Sequence, residues 1–446
     1  MLKRQIAFWL VGFLVINLGC HLSAGTNSDS RFASLLAIVE DHSFSIDRYV
    51  DLTVDWARTP NGRYFSNKAP GPVLVAAPLF WILDQAVSKA IPEKQSRVEW
   101  LIKHKASWLK LFSYLFQIIP FICVIYLFSQ ELIKSGCSQQ AIALFLAATL
   151  FGNTASLLMS TYYGHGMSAL WILSMLLCLR RHFYFGVGFC FGFSVLTDYS
   201  GILLVFPLLF VIKRDLKNII KIVFGGLLPL VLFVIYHQRC FGSPFSIANQ
   251  FQNPIFKDVG SQSHNLWGIL LPYPNTSVLY QLFLGQSRGM IWVVPWILLL
   301  LVWFLWFGSQ ARNEKISPEF RFGLMGLGLL VWMNSCFGGW HGGLTPGPRY
   351  LSPIFPIFGI ALGLCFDQRS VFFQRLVVIS VATSVFFSAL VYANHISPDR
   401  VPLWPLYLES SFISPSLTTI TRLLLVLPVL LFLWFRTVLW PRGIDE

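Results

Sequence analysis

The chain reads as an all-α polytopic membrane protein with about twelve transmembrane helices, and three observations predict it. Asp, Glu, Lys and Arg make up only 12% of its 446 residues, about half the ~25% of a soluble globular chain. The hydrophobic set reaches 55%, above the ~45–50% of soluble proteins. The apolar residues fall in long unbroken runs, not in the ~10-residue alternating segments of a membrane barrel. Too little charge is present to coat a soluble surface, which excludes soluble, disordered and collagen-like classes.

Thirteen apolar segments stand out, at about 5–22, 70–90, 108–129, 140–158, 166–179, 183–196, 201–212, 222–238, 289–308, 322–336, 351–366, 376–393 and 422–440. The first follows Lys3-Arg4 without a small-residue cleavage site, so an uncleaved span is expected. The second opens Lys68-Ala69-Pro70-Gly71-Pro72 and meets Asp84 after about a dozen apolar residues. A span needs about 20, so 70–90 is predicted as an interfacial or re-entrant hairpin.

The net charge of +13 is not a nucleic-acid signature, because the basic residues lie between apolar runs. With 70–90 not crossing, sixteen of them fall in interior segments: Lys3, Arg4, Lys134, Arg180, Arg181, Lys213, Arg214, Lys217, Lys221, Arg312, Lys315, Arg321, Arg369, Arg375, Arg436 and Arg442. The exterior turns Ser160–Gly166 and Thr197–Ser200 hold no Lys or Arg. Short loops obey the positive-inside rule, so twelve spans with both termini cytoplasmic are expected. The eight cysteines are scattered, most inside apolar runs, with no CxxC or metal-ligand spacing. The whole chain, 1–446, then forms a single integral membrane domain. Its long exterior segments are 23–107, 239–288 and 394–421, plus the Gly-rich stretch 337–350. A protein elaborated on one face works on that face.

In the first exterior segment, Phe32, Leu35, Leu36 and Val39 recur at i, i+3, i+4 and i+7. This is one apolar stripe on a helix lying in the membrane interface. Asp29 stands at its start, where it suits both an N-cap and a carboxylate held at the membrane surface. Glu40, Asp41, Asp47, Asp51 and Asp55 read mostly as solvated acids. Lys68, before a Pro-Gly turn, suits a lipid phosphate as well as a snorkelling role.

Asp29-Ser30-Arg31-Phe32-Ala33, the amphipathic helix and Tyr64-Phe65-Ser66-Asn67-Lys68-Ala69-Pro70-Gly71 together resemble the first exterior loop of GT-C-type membrane glycosyltransferases. The resemblance is to bacterial members of the protein O-mannosyltransferase and lipid A aminoarabinose transferase superfamily. Ser160-Thr161-Tyr162-Tyr163-Gly164-His165, Phe241-Gly242-Ser243-Pro244, Ser287-Arg288-Gly289, Trp340-His341-Gly342-Gly343 and Gly347-Pro348-Arg349-Tyr350-Leu351-Ser352-Pro353 extend it, in order, over residues 1–366. It implies an inverting glycosyltransferase that moves a sugar from a polyprenyl-phosphate donor to an acceptor hydroxyl of a glycan, lipid or protein. The reaction would run at the periplasmic face of a bacterial inner membrane. Asp29 would be the general base or acceptor-orienting carboxylate, and Lys68 a donor-phosphate ligand. Arg31 and Tyr64, from the same motifs, would line the substrate pocket.

Two departures from the family pattern matter. Asn67 replaces the usual acid before the lysine, and the second exterior loop has no acid, His165 being its nearest ionisable group. A divalent-cation site built from both loops is therefore disfavoured, and no cofactor and no metal are expected. Arg349 offers a bidentate fork for the departing phosphate. His165 suits a phosphate, an acceptor or merely a helix-end carbonyl. Tyr162, Tyr163, Trp340 and Tyr350 are candidates to stack on a sugar or to anchor the membrane interface. His341 sits among glycines nearby. Asp198 either lines the acceptor entry or caps the next helix. A transporter or flippase for a lipid-linked saccharide, or an envelope oligosaccharide ligase or polymerase, are the alternatives. Spans nearly free of charge favour the transferase.

Overall fold

A computed structural model describes residues 2–20, 25–88, 96–212, 215–256, 273–307, 317–343, 345–394, 408–413 and 415–439. The loop expected at 394–421 and the centre of 239–288 lie largely outside them. Among the described residues, each of the thirteen apolar segments is wholly or mainly helical. In chain order the helices begin with α1 (Leu2–Gly19), α2 (Thr26–Glu40), α3 (Gly71–Ser88), α4 (Arg97–Lys103) and α5 (Lys105–Ser113), which a π-helical turn joins to α6 (Ile119–Lys134). There follow α7 (Gln139–Leu150), α8 (Thr154–Leu158), α9 (Gly164–Arg180), α10 (Tyr184–Thr197), α11 (Val205–Val211) and α12 (Leu216–Phe241). The last third holds α13 (Thr276–Phe283), α14 (Met290–Val293), α15 (Pro295–Phe307), α16 (Pro318–Ser335), α17 (Phe355–Cys365), α18 (Val371–Asn394) and α19 (Leu417–Trp434). Among the described residues the only sheet is a two-stranded hairpin, β1 (Trp56–Arg58) with β2 (Tyr64–Ser66).

Among the described residues, six helices are long and apolar enough to cross a membrane, and the bent pair α7–α8 would make a seventh. Shorter apolar helices include α9, α10 and α15. The main core runs through α1, α6, α7, α9, α17 and α18. Helices α10 and α12 approach backbone to backbone. A Cβ on Gly188 would collide with the Ile222 carbonyl, and one on Gly225 with that of Phe185. This is the small-residue packing by which helices associate in lipid, where water drives nothing together. Helix α1 packs on α19, where Phe8 meets Phe432 edge-on at 6.4 Å and Gly12 faces Leu433.

Polar contacts sort the helix ends into two faces. On one, Arg180 pairs with Glu319 at 2.8 Å, Arg181 with Glu131 at 3.0 Å, and the Ser138 amide donates to Asp367 at 2.7 Å. The start of α1 and the residues just after α19 reach this face, because Gln139 touches Gln5 and Gln140 donates to the Val438 carbonyl. Segments grouped together by positive-inside counting thus meet in space. On the other face, Ser28 donates to the Thr161 carbonyl, and the Asn253 amide donates to Trp56 O at 2.9 Å. The loop after α12 thereby adds to the hairpin, with Ala57 bridging Gln252.

Segment 71–88 differs from the expected hairpin. It is one continuous helix with Pro78 inside, since a lone proline kinks a helix but no glycine turn reverses it. Lys105, after α3, returns to Asp29, before it, at 2.7 Å. The chain therefore comes back to the face it left. Buried Asp84 of α3 pairs with Arg97, which also reaches Glu40 at 3.1 Å, so three helices are tied by one guanidinium. The stripe Phe32, Leu35, Leu36 and Val39 is buried in a second core with Phe80, Trp108 and Phe112. It faces protein, where an interfacial helix would present it to lipid.

Candidate functional site

The site is assembled where α2, the β1–β2 hairpin, the start of α9, the end of α10 and the Gly-rich loop converge. Helix α2 starts at Thr26 with Gly25 as its N-cap. Asp29 therefore lies inside the first turn, near the positive end of the helix dipole, and is not the cap its sequence position suggested. Its Oδ1 faces Lys105 Nζ at 2.7 Å. Burial raises the Asp29 carboxyl above its usual value, with Lys105 pulling the other way.

Asp55, read from the sequence as one of several solvated acids, is 5% exposed. Its carboxylate accepts from Lys68 Nζ at 2.8 Å, Thr26 Oγ1 at 2.8 Å and Asn67 Nδ2 at 3.4 Å. Burial alone would raise this carboxyl, but Lys68 and the hydrogen bonds outweigh it and hold the group below its ordinary value. Lys68 is drawn down by burial and by Arg349 and Arg31, with Asp55 opposing. It also lines a narrow cleft with Ser34, Ser66, Val73 and Tyr236.

Arg31 is buried and donates through Nη1 to the Asn27 carbonyl at 3.1 Å and to the Asn27 side chain. Burial brings its guanidinium down to about 10. A Cβ on Gly164 would lie 2.9 Å from Arg31 Nη2 and 2.7 Å from the Thr197 carbonyl, so the absent side chain lets the guanidinium rest against the start of α9. Arg349 sits over the Tyr350 ring at 4.9 Å and the Tyr163 ring at 5.9 Å, and donates to Tyr350 Oη at 2.9 Å. Arg288, fully buried, donates to the Gly343 and Thr345 carbonyls and pins the loop that delivers Arg349. The Nε atoms of Arg31 and Arg349 are buried without a hydrogen-bond partner among the described residues. Unpaired buried donors cost about 1–3 kcal/mol each, and an anion is a natural acceptor for both.

His165 Nδ1 lies 2.6 Å from Asp198 Oδ2, and its ring stands edge-on to Tyr350 at 5.2 Å. Asp198 also accepts from the Ser200 amide at 3.1 Å and hydroxyl at 2.8 Å, so it caps the next turn as well. Burial would raise its carboxyl. His165 and the bonds from Ser200 outweigh this and hold it down at about 2.

Of the residues singled out in the sequence, Arg31, Lys68, Tyr163, His165, Arg349 and Tyr350 thus come together, with Asp29 at the edge. Tyr162 is a structural anchor. It has a left-handed φ of 58° and donates from its buried hydroxyl to the Pro72 carbonyl at 2.6 Å. Tyr64 packs on Trp56 at 5.1 Å and under Arg58. Trp340 and His341 meet each other at 6.0 Å, beside the cluster. Asp55 and Lys105 were missed. Among the described residues, no three His, Cys, Asp or Glu side chains gather as a cation site would require.

No protein-family model matches the chain, and no curated protein matches it in sequence. Its fold is similar to that of ArnT from Cupriavidus metallidurans bound to undecaprenyl phosphate, with TM-score 0.51 and 14% identity over 98% of this chain and 73% of that one. Similarity is also found to the apo oligosaccharyltransferase of Archaeoglobus fulgidus (0.49, 12% identity, 94% and 59%) and to apo ArnT (0.47, 15%, 98% and 74%). The first likeness shows the fold, a GT-C-like polytopic membrane architecture.

Proposed function

We propose that the chain is an inverting glycosyltransferase that moves a sugar from a polyprenyl-phosphate donor to an acceptor hydroxyl, on the periplasmic side of a bacterial inner membrane. The observation that carries this is the cationic cluster of Lys68, Arg31 and Arg349 with two unpaired buried guanidinium N–H groups. Such a cluster stabilises charge that develops on a departing phosphate. It lies beside the Asp29 and Asp55 carboxylates, on a fold shared with a protein whose structure holds undecaprenyl phosphate. Lys68 and Arg349 bind the donor phosphate, Arg31 completes the cradle, and Tyr163 and Tyr350 wall the sugar. Asp29 orients the acceptor hydroxyl or takes its proton. Twelve spans with α3 at the interface and cytoplasmic termini would present this cluster to the periplasm.

The test is to incubate the reconstituted protein with a panel of polyprenyl-phosphate sugars, a polyprenyl-pyrophosphate oligosaccharide and an envelope extract. Product formed with inverted anomeric configuration from a polyprenyl-phosphate sugar is expected. Transfer only from the pyrophosphate donor, or net transbilayer movement of donor without transfer, would overturn the proposal.

A further inference from the structure

The largely buried pair of His165 and Asp198, with side chains 11% and 12% exposed, is not used by the phosphate cradle, although His165 stands in its wall. Asp198 is held ionised and therefore only accepts hydrogen bonds. At 2.6 Å from it, His165 Nδ1 must carry the proton. In the neutral ring Nε2 then carries a lone pair, and the one side-chain hydrogen bond of the ring among the described residues is that of Nδ1. A lone pair repels a phosphate oxygen and accepts from a hydroxyl. The charged and titratable groups around the ring are Asp198 from the turn after α10, Arg31 from α2, and Arg349 and Tyr350 from the segment leading into α17. Burial, with Arg349 and Arg31 adding to it, holds the resting imidazole neutral against the pull of Asp198, while that carboxylate fixes its tautomer and orientation, the arrangement a general base needs.

We infer that His165, positioned by Asp198, is the proton acceptor for the acceptor hydroxyl, and that Asp29 orients that hydroxyl instead of deprotonating it. The inference rests on the glycosyltransferase reading. As the acceptor oxygen bonds to the anomeric carbon, the bond from that carbon to the phosphate oxygen breaks and its electron pair leaves on the phosphate. The hydroxyl proton passes to His165 Nε2, and the imidazolium is held by Asp198. The phosphate gains negative charge beside Arg31 and Arg349 at that moment, offsetting the part of the ring's neutrality that these cations add to burial. The base thus strengthens as the leaving group departs. The proton then moves to the phosphate or to water. A sequence reading could not reach this, because the pair is 33 residues apart and either residue alone has an ordinary explanation.

The experiment uses the full chain in lipid nanodiscs. Histidine 15N spectra at pH 8, assigned with His165→Gln, should show an Nδ1-protonated ring in the wild type that loses this preference in Asp198→Asn. An Nε2-protonated ring in the wild type overturns the dyad, whatever the protein transfers. Binding of undecaprenyl phosphate should stay within about twofold in both variants. Transfer should fall about 10²–10⁴-fold, and wild-type kcat should drop tenfold per pH unit on the acid side. If His165→Gln loses undecaprenyl-phosphate binding but turns over bound donor normally, His165 is a phosphate ligand and the inference fails. The wild-type pH profile needs no variant to fold, and a flat acid limb likewise overturns it. A wild type inactive with every donor would instead sink the glycosyltransferase reading.

Discussion

Replacing Asp55 by Asn keeps the shape of the side chain and removes the charge that neutralises Lys68. The carboxylate is 7% exposed and the ammonium 18%, with 2.8 Å between them. Breaking a buried ion pair from one side costs about 3–5 kcal/mol, because the other charge is left uncompensated. The amide still accepts from Thr26, so the lower end, about 3 kcal/mol, is expected for Asp55→Asn and the upper end for Asp55→Ala. Lys68→Met alone leaves Asp55 buried and unpaired and should cost a similar amount. The double variant should cost less than the sum by about 1–3 kcal/mol, the coupling of residues in direct contact. Equilibrium unfolding in mixed detergent and SDS micelles measures all four corners of this cycle. Additive losses, or single losses below about 0.5 kcal/mol, would refute the claim that this pair organises the site. The pair also sets a pH dependence. Asp55 is depressed in the folded state, so its contribution is present above the unfolded value of about 3.9 and fades as pH falls through the lower folded value. Wild-type stability should therefore decline on acidification below about pH 4, and Asp55→Asn should lose that part of the slope.

Asp29→Asn should abolish transfer while the protein still folds and binds undecaprenyl phosphate, and wild-type turnover would remove Asp29 from the site. Lys68→Ala and Arg349→Ala should each raise donor KM about 10–100-fold, matching the ~1.5–3 kcal/mol of one charge-assisted hydrogen bond. Unchanged donor affinity in both would end the phosphate model. Transfer should survive EDTA, and activity lost and then restored by Mg²⁺ or Mn²⁺ would contradict a cradle of cationic side chains alone. Gly164→Ala should displace the Arg31 guanidinium, whose Nη2 lies 2.9 Å from the new Cβ position, and weaken undecaprenyl-phosphate binding without blocking membrane insertion.

Much of the architecture was legible because apolar runs must become helices in lipid, where every backbone polar group needs an internal partner. Charge counting grouped the loop ends correctly for the same reason that their ion pairs later meet: Arg180, Arg181, Glu319 and Asp367 share a face. What failed was local shape. Pro70, Pro72 and Pro78 suggested a reversal at 70–90, whereas prolines in the first turn of a helix are tolerated and only Pro78 perturbs it. Asp29 looked like a cap because the apolar stripe begins at Phe32, but the polar residues Thr26–Ser30 extend the helix by one turn. Asp55 was indistinguishable from Asp47 or Asp51, since its burial is created by Lys68 and by Thr26, 29 residues away. Lys105 needed the closure of the whole 29–105 excursion. Long-range pairs of this kind leave no periodicity, so a single sequence does not display them.

The packing of α1 on α19 sets a limit on assembly. Phe8 and Gly12 find Phe432 and Leu433, some 420 residues downstream. At about 5–20 residues per second of synthesis, the first helix waits roughly 20–80 s for its partner. Until then its Phe8 face is turned to lipid or to whatever insertion factor shields it, while Trp9 and Phe13 already pack on Phe151 and Phe121. A chain cut short before α19 would keep every residue of the cationic cluster yet leave the Phe8 and Gly12 face of α1 uncovered. Quality control that senses an uncovered Phe8 face would then report whether α19 has been made.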